Sequence, residues 1–302
     1  MSKNSKNSVR VMTWNIYIGL AIQLLNETSP QDFKKNLKVL MEQLVTGNIY
    51  LRLQRIVEEI AHYHPDFIGL QEVSIWPEMP PYTKKANLIT RLIQLLEKKG
   101  LCYRVVVQNQ NTLIDHDVIL GRISSRIRYQ NVQGGHFDHL ATANLGGFPV
   151  KSYRSWQSAD ILYDGKPFRL VNTHLEFISE QVRKQQAVEL LRKANQTSLP
   201  TIILGDFNFQ ESQSKQAPYQ LYIQSGYKDV WKAKRGKGGN TCCQDADLKN
   251  RRSKLDRRID FIFIRGKFHI QHVGLVGNTC KKDILLRCWP SDHAGVVADL
   301  QF

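Results

Sequence analysis

Short polar motifs stand at the ends of apolar, strand-like runs along the whole chain. These motifs are Thr13-Trp14-Asn15-Ile16, Gln71-Glu72-Val73, Asn172-Thr173-His174-Leu175-Glu176, Gly205-Asp206-Phe207-Asn208 and Trp289-Pro290-Ser291-Asp292-His293. A further motif, Arg258 to Phe263, lies inside such a run and carries Asp260. A fold that gathers strand ends on one rim would assemble carboxylates, amides and two imidazoles around one point. Because that is the composition of a hard-metal site acting on a phosphate, the motifs predict such a site.

The apolar periodicity predicts a mixture of strands and helices. Ala159 to Tyr163 and Phe168 to His174, joined through Asp164-Gly165, have the pattern of a β-hairpin. Ser179 to Asn195 has the spacing of an amphipathic helix. Two mixed β-sheets packed face to face, with helices outside, accommodate both kinds of connection. The strand ends would then line one edge of the sandwich.

Other segments have weaker patterns. Apolar residues recur at helical spacing from Gln31 to Tyr63, and Gly47-Asn48 is expected to divide this stretch into two helices. The Pro-rich stretch from Trp76 to Pro81 predicts a loop. Gln130 to Ser155 is rich in Gly, Asn and other polar residues, so we expect a long functional surface loop there.

The chain is long enough for one large domain, with 302 residues of ordinary globular composition. We expect a polar tail over residues 1–8 and a single domain over residues 9–302. No apolar stretch reaches transmembrane length, and Met1 to Arg10 resembles no secretion signal. A cytoplasmic location is the expectation, with export by a signal-less route left open. A monomer is the favoured oligomeric state.

A formal net charge of +15 predicts attraction to a polyanion, either nucleic acid or an anionic membrane surface. The alternative is a solvated basic surface that only aids solubility. Much of the positive charge lies between Lys232 and Arg258, where Asp245, Asp247 and Asp256 are the only acidic residues. The side chains predicted to bind substrate phosphates are Arg251, Arg252, Lys254 and Arg257.

The five cysteines have no spacing typical of a zinc site, and reduced thiols are the simpler interpretation. The alternative is a disulfide from Cys242 or Cys243 to Cys280 or Cys288.

Phosphoester cleavage needs an activated water and neutralisation of charge on the phosphate, and a divalent cation supplies the second. Glu72 is the candidate for principal metal ligand, because carboxylate oxygens suit Mg²⁺, with Mn²⁺ as a substitute. Asp206 would position or deprotonate the water, and Asn208, two residues further along an extended segment, would face the same side. The alternative for this pair is an Asp-Asn turn. Asp260 would hold His293 in its useful tautomer, unless it pairs with Arg257 or Arg258 instead.

From Val11 to Leu300 the motifs resemble, in order, those of the endonuclease/exonuclease/phosphatase superfamily, and Thr241-Cys242-Cys243-Gln244 is similar to a bacterial branch. The resemblance implies a deoxyribonuclease-I-like, four-layered α-β-β-α sandwich. It also implies that Asn15 sits beside Glu72, orienting it or touching the metal shell. Asp292 would complete that shell, while His174 and His293 would contact the phosphate.

Many members of this superfamily have a mid-chain Tyr, Arg or Asn that touches the scissile phosphate, and no motif here identifies it. The candidates are Asp115, Asp117, Arg122, His136 and Asp160. Asp115-His116-Asp117 has the composition of a metal triad, but it precedes a strand, so a turn or cap explains it equally well.

These observations favour a Mg²⁺-dependent phosphodiesterase acting on nucleic acid. The alternative is a lipid enzyme, a sphingomyelinase-like phosphodiesterase or a phosphoinositide phosphatase, since positive charge also suits anionic membranes. Its membrane-entry loop would be Trp76 to Pro81 or Leu145 to Val150. A non-catalytic polyanion-binding protein is disfavoured, because no expected site residue is missing.

Overall fold

The computed structural model describes residues 8–19, 29, 31–32, 35–36, 49–76, 86–214, 217–280 and 289–302. Within these ranges the strands are β1 (Ser8–Asn15), β2 (Phe67–Trp76), β3 (Ala86–Asn87), β4 (Tyr103–Gln110), β5 (Asp115–Arg122), β6 (Ile127–His136), β7 (Ala141–Leu145), β8 (Phe148–Ser152), β9 (Ser155–Tyr163), β10 (Lys166–His174), β11 (Thr201–Asp206), β12 (Lys228–Asp229), β13 (Asp260–Arg265), β14 (His269–Val276) and β15 (Gly295–Gln301). The helices are α1 (Ile49–Tyr63), α2 (Leu88–Glu97), α3 (Glu180–Ala194), α4 (Pro218–Gln224) and α5 (Val230–Arg235).

The strands form two large mixed sheets. The first has the order β14-β15-β1-β2-β5-β4, with β3 paired to β2, and the second has the order β12-β13-β11-β10-β9-β6. A parallel pair lies at the centre of each sheet, β1 with β2 in the first and β10 with β11 in the second. The other strand pairs of both sheets are antiparallel.

Apolar side chains fill three layers of core, which makes the molecule four layers thick. Val11 and Phe67 of the first sheet pack against Phe168 and Ile202 of the second, so the two sheets bury their inner faces together. The outer face of the first sheet packs against α1 and α2. The outer face of the second packs against α3 and α4. The predicted α-β-β-α sandwich is therefore confirmed.

Local sequence signals account for several element boundaries. The hairpin from β9 to β10 turns at Asp164 and Gly165, which have φ angles of +49° and +78°. Such angles favour Asp and Gly in a tight turn. Ser179 precedes α3 and its hydroxyl accepts a hydrogen bond from the amide of Val182 (3.3 Å), so the helix begins where the sequence predicted.

The prediction of a long loop from Gln130 to Ser155 is wrong. The segment contains the second half of β6 and the separate β7–β8 ribbon, in which Leu145 pairs with Phe148 across Gly146-Gly147. These strands are largely exposed, so their polar side chains conceal the alternation that marks a strand with one buried face.

Two other predicted features lie largely outside the described residues. They are the first half of the helical stretch from Gln31, including its break at Gly47-Asn48, and the Pro-rich loop after Trp76. Among the described helices, none is long and apolar enough to cross a membrane.

Candidate active site

The central parallel strands of both sheets deliver polar side chains to one edge of the sandwich. Asn15 ends β1, while His174 and Asp206 end β10 and β11 and are direct partners in the register of those strands. Parallel strands point their carboxyl ends toward the same edge of a sheet. An open cavity of about 710 Å³ lies at this edge, and its lining includes Glu72, His174, Asp206, Asn208, Asp292 and His293.

A bulge in β2 sets the position of Glu72. The pairing of β2 with β5 shifts register between Leu70 and Val73, and Glu72 has a φ of +58°. Both carboxylate oxygens are then held, Oε1 by the Asn15 side-chain amide (2.9 Å) and Oε2 by the backbone amide of Ile18 (2.9 Å). The arrangement matches the orienting position predicted for Asn15.

Asn15 also links the two sheets. Its Nδ2 donates to Asp206 Oδ2 at 3.0 Å, so one amide joins the Glu72 and Asp206 carboxylates. Asp206 Oδ1 accepts the backbone amide of Asn208 at 3.0 Å, which is the Asp-Asn turn considered above. Asn208 has a φ of +52° and its Nδ2 donates to the carbonyl of Leu175 at 2.9 Å. The turn and the cavity position coexist, because both residues line the cavity.

Asp260 and His293 form a buried pair. Asp260 Oδ2 lies 2.9 Å from His293 Nδ1, and His293 Nε2 lies 3.8 Å from Asp206 Oδ2. The alternative of a salt bridge from Asp260 to Arg257 or Arg258 is wrong. Arg258 instead binds Asp229 (2.7 Å) and Glu211 (2.8 Å), and Arg257 lies beside Asp256 (3.8 Å).

The electrostatics of this group depend on its burial. Burial alone would lower the pKa of His293, but the surrounding Asp260, Asp206 and Asp292 carboxylates outweigh it and hold that pKa well above its usual value. Burial, together with the charge of Asp260, raises the pKa of Asp206 to about 7.

His174 also lines the cavity and lies beside a buried arginine. One guanidinium nitrogen of Arg154, Nη1, lies 3.2 Å from each ring nitrogen of His174. His174 Nε2 lies 3.6 Å from Asp206 Oδ2, and Nδ1 lies 3.9 Å from Asp117 Oδ1. Burial and the positive charges of Arg154 and His293 hold the pKa of His174 well below its usual value. His174 is therefore a neutral imidazole at physiological pH.

Arg154 is the cavity residue that the sequence analysis missed. It immediately precedes β9, which runs antiparallel to β10, so the start of β9 and the end of β10 meet at the same edge. Arg154 lies before the predicted hairpin, which was expected to begin at Ala159, and inside the stretch from Gln130 to Ser155 that was predicted to be a loop.

Three of the mid-chain candidates lie away from the cavity. Arg122 pairs with Asp66, and Asp160 pairs with Arg169 at 2.7 Å. His136 is exposed and contacts the carbonyl of Gln110 through Nε2.

Asp115 and Asp117 share one face of β5 next to the site. The amide of Asn111 donates to both, at 3.3 and 2.8 Å, and Ser155 Oγ donates to Asp117 at 2.8 Å. Burial raises the pKa of Asp117 to about 6 and raises that of Asp115 well above its usual value. Asp115 lines the cavity. His116 lies between them in the strand, and the alternation of a strand places it on the opposite face.

Only part of the predicted phosphate-binding set reaches the cavity. Arg257 lines it, whereas Arg251, Arg252 and Lys254 are not among the described residues of its wall. Arg251 and Arg252 are exposed on the loop before β13, and Lys254 binds Asp245 at 2.7 Å.

The donor set fits a hard divalent cation. Burial raises the pKa of Asp292 to about 6, and the negative charge of Glu72 contributes to the same shift. A cation between these two carboxylates would relieve that repulsion. In addition, Asp206, Asp260 and His293 each place one ligand atom within 4.8 Å of the others, and Asp260 Oδ1 is buried without a hydrogen-bond partner.

The sandwich and its carboxylate–imidazole cavity define a phosphoester hydrolase of the α-β-β-α class. The chain belongs to the Endonuclease/Exonuclease/phosphatase family, whose model matches residues 12–293, and the resemblance noted from the motifs is thereby confirmed. Members of this family are generally dependent on divalent metals. A comparison with curated protein sequences gave no match.

Solved structures share the fold along nearly the whole chain. TDP2 from D. rerio, in complex with a single-strand DNA product, has a TM-score of 0.62 and 18% identity over 98% of this chain and 99% of its own. Truncated TDP2 from Caenorhabditis elegans has a TM-score of 0.63 and 20% identity, covering 99% of each chain. The mannosyl-6-phosphatase Bt3783 of Bacteroides thetaiotaomicron VPI-5482 has a TM-score of 0.63 and 18% identity over 97% and 100%.

Proposed function

We propose that the protein is a Mg²⁺-dependent phosphodiesterase that cleaves nucleic acid, with Mn²⁺ able to replace Mg²⁺. The observation that carries the proposal is the convergence of carboxylates, two imidazoles and Arg154 on one cavity. A bound divalent cation would polarise the phosphate and stabilise the leaving oxygen. Glu72 and Asp292 would hold it, with Asn15 fixing the orientation of Glu72 through the 2.9 Å hydrogen bond to Oε1.

The remaining side chains divide into a water-activating group and phosphate donors. Asp206 would orient the attacking water and accept its proton, and its pKa of about 7 suits a general base at neutral pH. His293, held by Asp260, would donate from Nε2 to a phosphate oxygen. Neutral His174 and charged Arg154 would also donate to the phosphate, where the charge that develops in the transition state needs neutralising.

The charge distribution supports a polymeric anion as the substrate. Arg154 and Arg257 both line the cavity, so substrate phosphates bound there would meet guanidinium groups. The net charge of +15 adds long-range attraction to nucleic acid. The likeness to TDP2 complexed with single-strand DNA product is consistent with this proposal, although 18% identity carries the fold alone.

A panel of substrates tests the proposal. Purified protein is incubated with plasmid, single-stranded DNA and RNA, with Mg²⁺ or with EDTA, beside a Glu72→Gln variant. Cleavage that needs Mg²⁺ and is lost in the variant is the expected result. Cleavage that persists in EDTA, or that the variant retains, would overturn the assignment.

One feature favours the alternative, a lipid phosphodiesterase or phosphatase. On the β7–β8 ribbon beside the cavity, Phe148 is 72% exposed and Val150 is 42% exposed. Exposed apolar side chains on a projecting ribbon suit contact with a membrane. Sphingomyelin and phosphoinositides in vesicles therefore belong in the panel. Turnover of these lipids with nucleic acid left intact would move the protein to that class.

A further inference from the structure

Two adjacent cysteines lie in the cavity wall on the side of His293. Cys242 forms isolated β-bridges with both Arg257 and His293, and neighbouring backbone bonds fix the segment on each side. The amide of Ala294 donates to the carbonyl of Thr241 at 2.8 Å, and the amide of Gln244 donates to the carbonyl of Asp292 at 2.8 Å. The cysteine pair is therefore held against the segment that carries His293.

The sulfurs and the imidazole form a compact group of soft ligands. One sulfur from each of Cys242 and Cys243 and one ring nitrogen of His293 lie within 4.8 Å of one another. Ligand atoms that share a tetrahedral zinc lie roughly 3.5 Å apart, given the usual bond lengths. Once the disulfide is reduced, separation of the two sulfurs to that spacing would give the group the geometry of a Cys₂His metal site. Arg257 Nη2 lies 3.8 and 3.5 Å from the two sulfurs.

The orientation of His293 is also that of a metal ligand. Its Nδ1 is occupied by Asp260 at 2.9 Å, which leaves Nε2 directed away from that carboxylate. Histidines that bind zinc generally donate their other ring N–H to a carboxylate in this way. Asp260 would therefore orient the His293 ring so that Nε2 can contact either a phosphate or a soft cation.

We propose that Cys242, Cys243 and His293 bind a soft divalent cation of the Zn²⁺ class when the cysteines are reduced, and that this binding blocks the active site. Two thiolates make the group selective for soft cations over Mg²⁺, which prefers oxygen ligands. Binding releases the two thiol protons and the Nε2 proton of the charged His293, and the metal then occupies Nε2. The inhibitory effect rests on the proposed function, whereas the metal binding does not.

The redox state of the pair would control access to this site. In the structure Cys242 and Cys243 are joined as a disulfide, a form that has no thiolate to offer a metal. A water-soluble phosphine reduces the disulfide to two thiols and is itself oxidised to the phosphine oxide, taking its oxygen from water. Reduction therefore creates the soft-metal site, and oxidation removes it.

Cobalt provides a readout that is independent of catalysis. Co²⁺ bound to thiolates has an intense near-ultraviolet charge-transfer absorption, so phosphine-reduced protein is titrated with Co²⁺ and then with Zn²⁺. We expect the band in wild type, its displacement by Zn²⁺, and its weakening by at least tenfold in Cys242→Ser and Cys243→Ser. The matched controls Cys102→Ser, a free exposed cysteine, and Cys280→Ser should keep it.

Activity measurements complete the test. Zn²⁺ added to the reduced wild type in the presence of Mg²⁺ should lower the rate on the order of 100-fold, the scale of a lost proton-donating contact. The Cys243→Ser variant should keep its rate under the same treatment. Absence of the cobalt band, or a band that survives in both cysteine variants, would overturn the metal site. A normal cobalt band without Zn²⁺ inhibition would mean that His293 is not a ligand of the metal site. Absence of any hydrolysis by the wild type would count against the proposed function alone.

Discussion

At the scale of single residues, the site depends on contacts that hold ionisable groups in one protonation state. His174 is neutral because it is buried beside the positive charge of Arg154, and His293 is charged because acidic groups surround it. The two imidazoles in the cavity therefore differ in charge: His174 can act as a neutral hydrogen-bond donor and His293 as a cationic one. The role of His174 depends on Arg154, and the role of His293 depends on Asp260. Substitution of these two partners therefore tests the two roles.

Arg154→Lys should lower kcat by roughly 100-fold with little change in KM. Lysine keeps the positive charge but has no planar fork, so it cannot contact His174 and a phosphate oxygen with the same geometry. Steady-state kinetics on the preferred substrate measure the effect, with Arg128→Lys on the exposed strand β6 as the control. A rise in KM with kcat unchanged would mean that Arg154 serves only ground-state binding.

Asp260→Asn should lower kcat about 100-fold or more, because a neutral amide replaces the carboxylate that does most to raise the pKa of the buried His293. Kinetics of a double-mutant cycle measure it. The Asp260→Asn/His293→Ala double variant should be no slower than His293→Ala alone, since the two residues act as a unit. Additive losses would show that Asp260 acts independently of His293.

At the scale of elements, the sequence predicted which polar residues lie at the strand ends, but it did not predict irregular strand geometry such as a bulge. The motifs at Asn15, His174 and Asp206 sit at strand ends, as expected, because apolar runs and their polar ends are local signals. The bulge that turns Glu72 inward depends on pairing between β2 and β5, which no local pattern encodes. Arg154 was missed for the same reason, since an exposed ribbon separates it from the other motifs.

A buried arginine of helix α1, Arg52, donates hydrogen bonds to two segments next to the site. Arg52 donates from Nη1 to the carbonyls of Ile16 and Pro290, at 2.9 Å each, and from Nη2 to the carbonyl of Tyr17 at 2.9 Å. One side chain thus joins the segment after β1 to the segment that carries Asp292. Sequence patterns gave no sign of this contact, because Arg52 lies among the polar residues of an amphipathic helix.

Arg52→Met should destabilise the fold by about 3 kcal/mol, because it leaves buried carbonyls without their charged donor. Urea denaturation measures the free energy of unfolding, and Arg91→Met on the exposed face of α2 is the control. Activity should fall in the folded variant as well, since the Asp292 segment loses its anchor. A loss below about 0.5 kcal/mol, the range of surface substitutions, would contradict this account.

At the scale of the whole molecule, several acidic groups are buried together at one edge of the sandwich, and their negative charges repel one another. Burial raises the pKa of Asp206 to about 7 and that of Asp292 to about 6. A cation that binds the native state alone stabilises it by mass action. A bound cation would therefore contribute to folding as well as to chemistry.

Saturating Mg²⁺ should raise the melting temperature by about 5 °C relative to EDTA, following a stabilisation of about 2–3 kcal/mol. The Glu72→Gln variant should lose this increase, because a neutral amide is a weaker ligand for Mg²⁺ than a carboxylate. Differential scanning fluorimetry measures the change in melting temperature. The control is Glu97→Gln, which changes an exposed side chain at the end of α2. An equal increase in Glu72→Gln would place the metal elsewhere.

The uneven placement of positive charge leads to a prediction about salt. Arg257 lines the cavity, whereas Arg251 lies exposed on the loop before β13. A cation that contacts a backbone phosphate releases about one counterion, so its loss reduces the slope of log affinity against log salt by about 1. Arg257→Gln should show that reduction in the binding of a DNA oligonucleotide, measured by fluorescence anisotropy between about 50 and 200 mM salt. Arg251→Gln, which removes the same charge from outside the cavity, should leave the slope within error. Equal reductions in both variants would mean that the exposed loop also contacts the nucleic acid and that the cavity alone does not define the binding surface.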